Sequence, residues 1–300
     1  MDRRNDILVG VDGSAESDAA VAWAVAEAAA RGCGLLILHS CESRYYGLWT
    51  MTKGLRAGLR AMARPIVDDA LALAARADPP VPARGAVLVA SPVRALQRLS
   101  HSAALVVIGR NGRGMLSRLL LGSVTQHLAA NAGCPVIAVG CPPRGVRPGT
   151  VDRIVAAIDT PSTNEQTLRF AFAEAQHRHA PLDVVHSVPH ADDLDPELHR
   201  LGVSLIAWGT EYPGVEVASR VHAGSLLEAV ATACTPRDLL VLGHHRHIPF
   251  APHSLGARTT SALHAAPCPV AVVHETLEAE ARLGATVYGT KDQAVVAGRP

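Results

Sequence analysis

The sequence predicts an α/β fold built twice over, each copy a parallel sheet covered by helices on both faces. Three observations predict it. Short apolar runs alternate with helical stretches five times in about 140 residues, the pattern of successive strand–helix–strand units. The second half then repeats the first. Ile154 to Asp159 matches Ile7 to Asp12, and His186-Ser187 matches His39-Ser40, both at an offset of 147; Gly243, Gly256 and Cys268-Pro269 match Gly109, Gly122 and Cys134-Pro135 at an offset of 134. The second copy is therefore 13 residues shorter in its middle. Finally, the fourth strand of the first copy runs directly into a glycine-rich stretch, where α/β sheets place ligands.

In chain order, Ile7 to Asp12 reads as a strand, Gly13-Ser14 as the turn, and Ser14 as the N-cap of an Ala-rich helix over 17–31 that ends at Arg31-Gly32. Leu35 to Ser40 is the second strand. Tyr45, Tyr46 and Trp49 lie in a loop suited to packing. A helix over 53–77 carries Gly58 and Pro65 as interruptions. Ala86 to Ala90 is the third strand, and Ser91-Pro92 supplies an N-cap and an N1 proline to a helix reaching His101.

Leu105 to Ile108 then forms a buried fourth strand, followed by Gly109-Arg110-Asn111-Gly112 and, nine residues on, Gly122-Ser123-Val124-Thr125. Gly109 and Gly112 lack a Cβ, so the backbone can turn sharply and bring its N–H groups close to a ligand. Ser123 to Gln126 fits an S-x-x-Q capping box, which predicts a helix start after Gly122. Such a start attracts phosphate, because unpaired N–H groups and the positive end of the dipole point the same way. A helix over 124–131 and a fifth strand over 135–139 complete the copy. The Pro- and Gly-rich run from Cys141 to Thr150 breaks every period and reads as a linker. In the second half Ser225 to Glu228 is again a capping box, and after Val273 the pattern stops.

Composition bounds the function. The 300 residues are 48% hydrophobic, 18% charged and only 3% aromatic, so two globular cores of Ala, Val and Leu are expected. A net charge of +1 gives no basis for nucleic acid or an anionic membrane as partner. With no apolar run near ~20 residues and no signal-peptide core after Met1, the expectation is a soluble, cytoplasmic chain. The six cysteines form no CxxC pair and read as reduced, mostly buried thiols.

An Asp closing strand one (Asp12), Leu-His closing strand two (Leu38-His39) and G-x2-G-x9-G-[S/T] after strand four resemble the universal stress protein family, here in a tandem, two-domain form. The resemblance covers about residues 5–140 and 151–274. It implies two tandem Rossmann-like, open, doubly wound domains, 1–141 and 151–274, joined by the linker 142–150 and followed by a tail, 275–300. Each sheet would have five parallel strands ordered 3-2-1-4-5. Strands one and four then straddle the switch point, so that Asp12 and Gly109 face one crevice. The full glycine signature is similar to that of the ATP-binding members. It implies that Gly109, Gly112, Gly122, Ser123, Val124 and Thr125 surround the phosphates and ribose, with Arg113 close by. Gly10 and Asp12 would lie against the nucleoside, and Ser40 would take the adenine-edge position. ATP, with Mg or Mn, is the implied cofactor. Family domains pair through strand five, which implies pairing within the chain and again in a homodimer.

The second half departs from this pattern. It keeps Asp159, Gly243 and Gly256 as weaker counterparts, but Ala157 stands for Gly10, Arg246 for the second glycine and Ala257 for the hydroxyl. Nucleotide binding is therefore expected in the first half rather than the second. His244, His245, His247, His253 and His264 are explained by a solvated loop as well as by a metal, and no metal site is assigned. No GxxxxGK[ST] and no G-x-S-x-G occurs, so no catalytic residue is assigned and any ATP hydrolysis would be slow and incidental. Two functions stay open: a stress-response regulator that binds ATP as a switch or partner-binding module, and a scaffold of the same fold that binds no nucleotide.

Overall fold

The structure is a computed structural model and describes residues 6–42, 52–112, 121–158, 164–244 and 255–275. The first half runs β1 (Ile7–Gly10), α1 (Ala15–Arg31), β2 (Leu35–Cys41), α2 (Lys53–Ala74), β3 (Ala83–Val89), α3 (Pro92–Ser100), β4 (Leu105–Gly109), α4 (Ser123–Asn131) and β5 (Val136–Val139). The second runs β6 (Arg153–Ile158), α5 (Glu165–Arg178), β7 (Leu182–Val188), a 3-10 turn, α6 (Leu194–Glu211), β8 (Val217–Ala223), α7 (Leu226–Ala233), β9 (Asp238–His244), α8 (Ala257–Ala265) and β10 (Val270–His274).

Within each half the strands are parallel, in the orders β3-β2-β1-β4-β5 and β8-β7-β6-β9-β10. The halves do not keep separate sheets. β5 and β10 pair antiparallel, with Val270 opposite Ala138 and Val272 opposite Val136, so among the described residues one ten-stranded sheet results. Each fifth strand would otherwise leave a row of unpaired N–H and C=O groups, and its own copy satisfies them.

Local chemistry explains most element ends. Ser14 Oγ accepts the Ser17 N–H at 3.2 Å, and Gly32, at φ 64°, closes α1 in the left-handed region. Ser225 and Glu228 form the expected capping box. Three expectations fail. α2 continues through Gly58 and Pro65, because a buried stripe of Ala63, Val67, Ala70 and Ala74 outweighs the one hydrogen bond that a proline removes. Ser91 precedes α3 without a side-chain cap. Of the cysteines only Cys234 and Cys268 are buried; Cys33, Cys41 and Cys134 are half-buried and Cys141 is exposed. Burial still pushes the Cys134 thiol up to about 12.

Where α1 meets α5, four charges form a closed quartet. Arg31 bridges Glu27 and Glu174, and Arg178 bridges the same two carboxylates from the other helix. Both glutamates are about 1% exposed. Burial and the neighbouring Glu27 carboxylate push Glu174 up to about 7 against the pull of Arg31 and Arg178. At Glu27 burial also raises the value, but Arg178 and Arg31 outweigh it and hold the group below its ordinary range. An acid raised in the fold binds its proton more tightly folded than unfolded. Its contribution is therefore complete below the ordinary glutamate value of 4.5 and lost as pH climbs toward about 7; Glu27, held below its ordinary value, titrates below that window. Urea denaturation should show stability falling across it, and Glu174→Gln, which cannot ionise, should flatten the slope. An identical slope in the variant would exclude Glu174 as the source.

Candidate functional site

The carboxyl ends of β1 and β4 lie side by side, with Gly10 in register with Ile108. A Cβ on Gly10 would come 3.0 Å from Ile108 Cγ2 and 3.2 Å from Leu96 Cδ1, so this glycine serves packing beneath the crevice. Past β1, Asp12 Oδ1 accepts the Ser14 N–H at 2.9 Å in an Asx turn, and Gly13 follows at φ 75°. His39 fixes the position of this turn. Its Nδ1 lies 2.7 Å from the Val11 carbonyl oxygen, and since that oxygen can only accept, the ring donates from Nδ1. His186 repeats the contact with Ile158 at 3.0 Å. In sequence Leu38-His39 is only a landmark; the recurrence of His39-Ser40 as His186-Ser187 at a fixed offset was the available sign of a positional role.

Past β4 the glycine loop turns against the first turn of α1. A Cβ on Gly109 would meet Glu16 Cβ at 3.1 Å and the Asn111 carbonyl at 3.2 Å, whereas one on the exposed Gly112 would meet, among the described residues, only Asp12 Oδ2, at 2.9 Å. The Gly122 N–H donates to the Arg110 carbonyl at 3.0 Å and closes the loop. Gly109, Gly112 and Asp12 are thus brought together, as the sequence implied.

The helix start differs from expectation. Gly122, not Ser123, is the N-cap of α4, no side-chain cap bond forms, and Ser123 is the exposed first residue of the helix. The Ser123 hydroxyl is therefore not committed to a cap, and no side chain of the cap takes up the first-turn N–H groups. Val124 is half-buried. Thr125 is 3% exposed and donates its hydroxyl to the Gly109 carbonyl at 2.9 Å, tying α4 to the end of β4. Ser40 donates to the Ala90 carbonyl at 2.8 Å, which commits its hydroxyl to the end of β3. Arg113 lies outside the described residues.

One group at the loop was missed in the sequence. Glu16 accepts the Asn111 backbone N–H through Oε2 and the Asn111 side-chain amide through Oε1, the latter at 3.2 Å. A carboxylate of the chain itself thus sits on a loop N–H that an anion would use. An acidic residue in the first turn of a helix is common enough that nothing in the sequence marks this one.

In the second half the equivalent crevice is filled from within. A Cβ on Gly243 would come 2.5 Å from Asn164 Oδ1 and 2.8 Å from Thr167 Oγ1. Glu275, 4% exposed, lies over the start of α5, accepting from Gln166 N at 3.0 Å, Thr167 N at 2.9 Å and Thr167 Oγ1 at 2.6 Å. Gly256 caps α8 as Gly122 caps α4, again without a side-chain bond. His244 is a buried strand residue packed edge-on to His274 at 5.7 Å, not part of a solvated loop. Asp159, His245, Arg246, His247 and His253 lie outside the described residues, as do Tyr45, Tyr46, Trp49 and the tail beyond Glu275. Among the described residues no three His, Cys, Asp or Glu side chains are grouped to hold a metal ion, and no helix is long and apolar enough to cross a membrane.

The sequence profile of the universal stress protein family matches residues 3–140 and 150–274, nearly all of both halves. The chain belongs to this family. A universal stress protein of Mycobacterium tuberculosis is 29% identical over 300 residues, covering 91% of this chain and 98% of its own. One from Mycobacterium bovis is 30% identical over 302 residues, covering 89% and 94%. Among solved structures, a universal stress protein from Archaeoglobus fulgidus superposes with a TM-score of 0.68 at 18% identity, covering 92% of this chain and 98% of that one. The tandem arrangement is therefore shared with full-length relatives, and the structural likeness supports the fold.

Proposed function

We propose that the first half of this universal stress protein binds ATP in the crevice between β1 and β4, and that the chain works as a nucleotide-dependent regulator without an enzymatic step. The contrast between the two halves carries the reading. In the first, Gly112 is exposed with only Asp12 beside it among the described residues and the first turn of α4 has no side-chain cap; in the second, Asn164, Thr167 and Glu275 fill the matching space. The triphosphate would lie over Gly109, Gly112 and the α4 N-terminus, bringing Mg or Mn on its own oxygens, while Asp12 faces the nucleoside. Since β5 is already paired with β10, a homodimer or a regulatory protein would engage another surface.

A second reading is favoured by Glu16. If its carboxylate keeps the Asn111 N–H, the loop is a self-satisfied scaffold that binds no nucleotide. Thermal melts with and without Mg-ATP separate the two, because a ligand at 100 times its Kd adds about 2.7 kcal/mol. Calorimetry should give one site per chain. No shift at millimolar ATP would establish the scaffold, and two sites would refute the asymmetry.

A further inference from the structure

Arg110, the residue after Gly109, does not point toward the crevice's helix start but reaches across the β5–β10 seam. Its Nη1 donates to the Ala266 carbonyl at 2.9 Å and its Nη2 to the Cys268 carbonyl at 2.6 Å, both in the second half. Its Nε is buried and has no acceptor among the described residues. Among the described residues its hydrogen bonds go to neutral carbonyls and no carboxylate bonds it directly, and burial lowers its pKa against the opposing pull of Cys268 and Glu16.

Beside it lies a cavity of about 70 Å³, bounded by the linker, the end of β5 and the segment before β10. One water needs roughly 10–15 Å³ on such a measure, so there is room for several waters or one small oxyanion. Its described lining includes Arg110 and Arg147 and no carboxylate. Trp23 also lines it, is 1% exposed, and carries a second buried donor, the indole Nε1, without an acceptor among the described residues. Exposed Cys141, Pro143 and Thr150 on the linker side give access from solvent.

We propose that this seam cavity binds a small oxyanion, of the phosphate or carboxylate class, through the Arg110 guanidinium and the Trp23 indole. Such an occupant supplies a directly bonded counter-charge to Arg110 and acceptors for both N–H groups. Because Arg110 belongs to the glycine loop by its backbone and to the second half by its side chain, an anion here sits on the covalent path between the loop and the domain seam.

The test is an inorganic phosphate titration of the full chain, at ionic strength held constant with chloride, followed by ¹⁵N–¹H NMR. The Trp23 indole and Arg110 Nε–H signals should shift together and saturate with one midpoint, and an acetate arm reads whether a carboxylate suffices. Gly140→Asp provides an internal surrogate, since a Cβ there lies 3.9 Å from Arg110 Nε and Cζ with nothing nearer. It should abolish the saturable shift and raise Tm in phosphate-free buffer by about 2 to 4 °C. Arg110→Lys, which loses the planar fork but keeps the charge, should remove the Trp23 shift while the chain stays folded. If neither signal moves, or if phosphate moves only the backbone amides of Gly112 and Ser123, the seam site is refuted. No nucleotide enters the experiment, so its outcome is independent of ATP binding in the crevice.

Discussion

Removing any one member of the α1–α5 quartet, as in Arg178→Met or Glu174→Ala, should destabilise the protein by about 3–5 kcal/mol. The size follows from burial. Glu27 and Glu174 are about 1% exposed and the Arg178 side chain 8%, so loss of one partner leaves a charge that water cannot reach. Arg178 also donates to the Gly149 carbonyl at 3.1 Å and lies 4.8 Å over the Trp23 ring, so its removal frees a linker carbonyl and an aromatic face too. Replacing the whole set by apolar residues of similar length, Glu27→Leu, Arg31→Met, Glu174→Leu and Arg178→Met together, removes the charges and their desolvation at once. Stability should then return to within about 1 kcal/mol of the parent or exceed it. Chemical denaturation reads both results. A single truncation costing under about 1 kcal/mol would mean that the quartet is solvated, and a quadruple variant as weak as the singles would mean that packing, not charge, sets the cost.

The quartet also shows what the sequence made legible and what it did not. Glu27 and Arg31 recur as Glu174 and Arg178 at the same offset of 147 that relates the first strands. The repeat was visible, but i,i+4 pairs usually lie on solvated helix faces, and only the apposition of α1 and α5 buries these. The same limit applies to the sheet. Alternating apolar runs and helices gave parallel strands within each half, while the strand order and the pairing through strand five came only with the family resemblance, because the two short strands of the β5–β10 seam carry no pairing signal of their own. At the site, glycine positions were legible because a missing Cβ has few uses at a strand end. The roles of Glu16, Arg110 and Glu275 were not, since each acts through a contact 95 to 158 residues away in sequence. The expected Ser123 cap failed for a local reason: the helix begins one residue earlier than its S-x-x-Q pattern suggests, with Gly122 in the cap position.

Gly109→Val should abolish ATP binding by the first half, a loss of at least about 100-fold, or about 2.7 kcal/mol. The new Cβ would stand 3.1 Å from Glu16 Cβ and 3.2 Å from both the Asn111 carbonyl oxygen and the Glu16 carbonyl carbon. Two of those three neighbours are backbone, so the loop itself must move, and its N–H groups move with it. Gly243→Val presents a different obstacle. Its Cβ would meet the side-chain oxygens of Asn164 and Thr167, which hold the filled crevice of the second half together with Glu275. That variant should lose about 1–3 kcal/mol of stability yet bind ATP as the parent does. Glu16→Gln completes the comparison. It keeps the hydrogen-bonding shape but removes a negative charge from beside the triphosphate, which at the effective dielectric of a protein surface is worth roughly 1–2 kcal/mol, about a tenfold gain in affinity. Titration calorimetry on the three variants distinguishes the readings. Loss in Gly109→Val, retention in Gly243→Val and gain in Glu16→Gln place one nucleotide in the first crevice, with Glu16 as the group it displaces. Weaker binding in Gly243→Val would move the site to the second half, and an unchanged affinity in Glu16→Gln would mean that the triphosphate never reaches the Asn111 N–H.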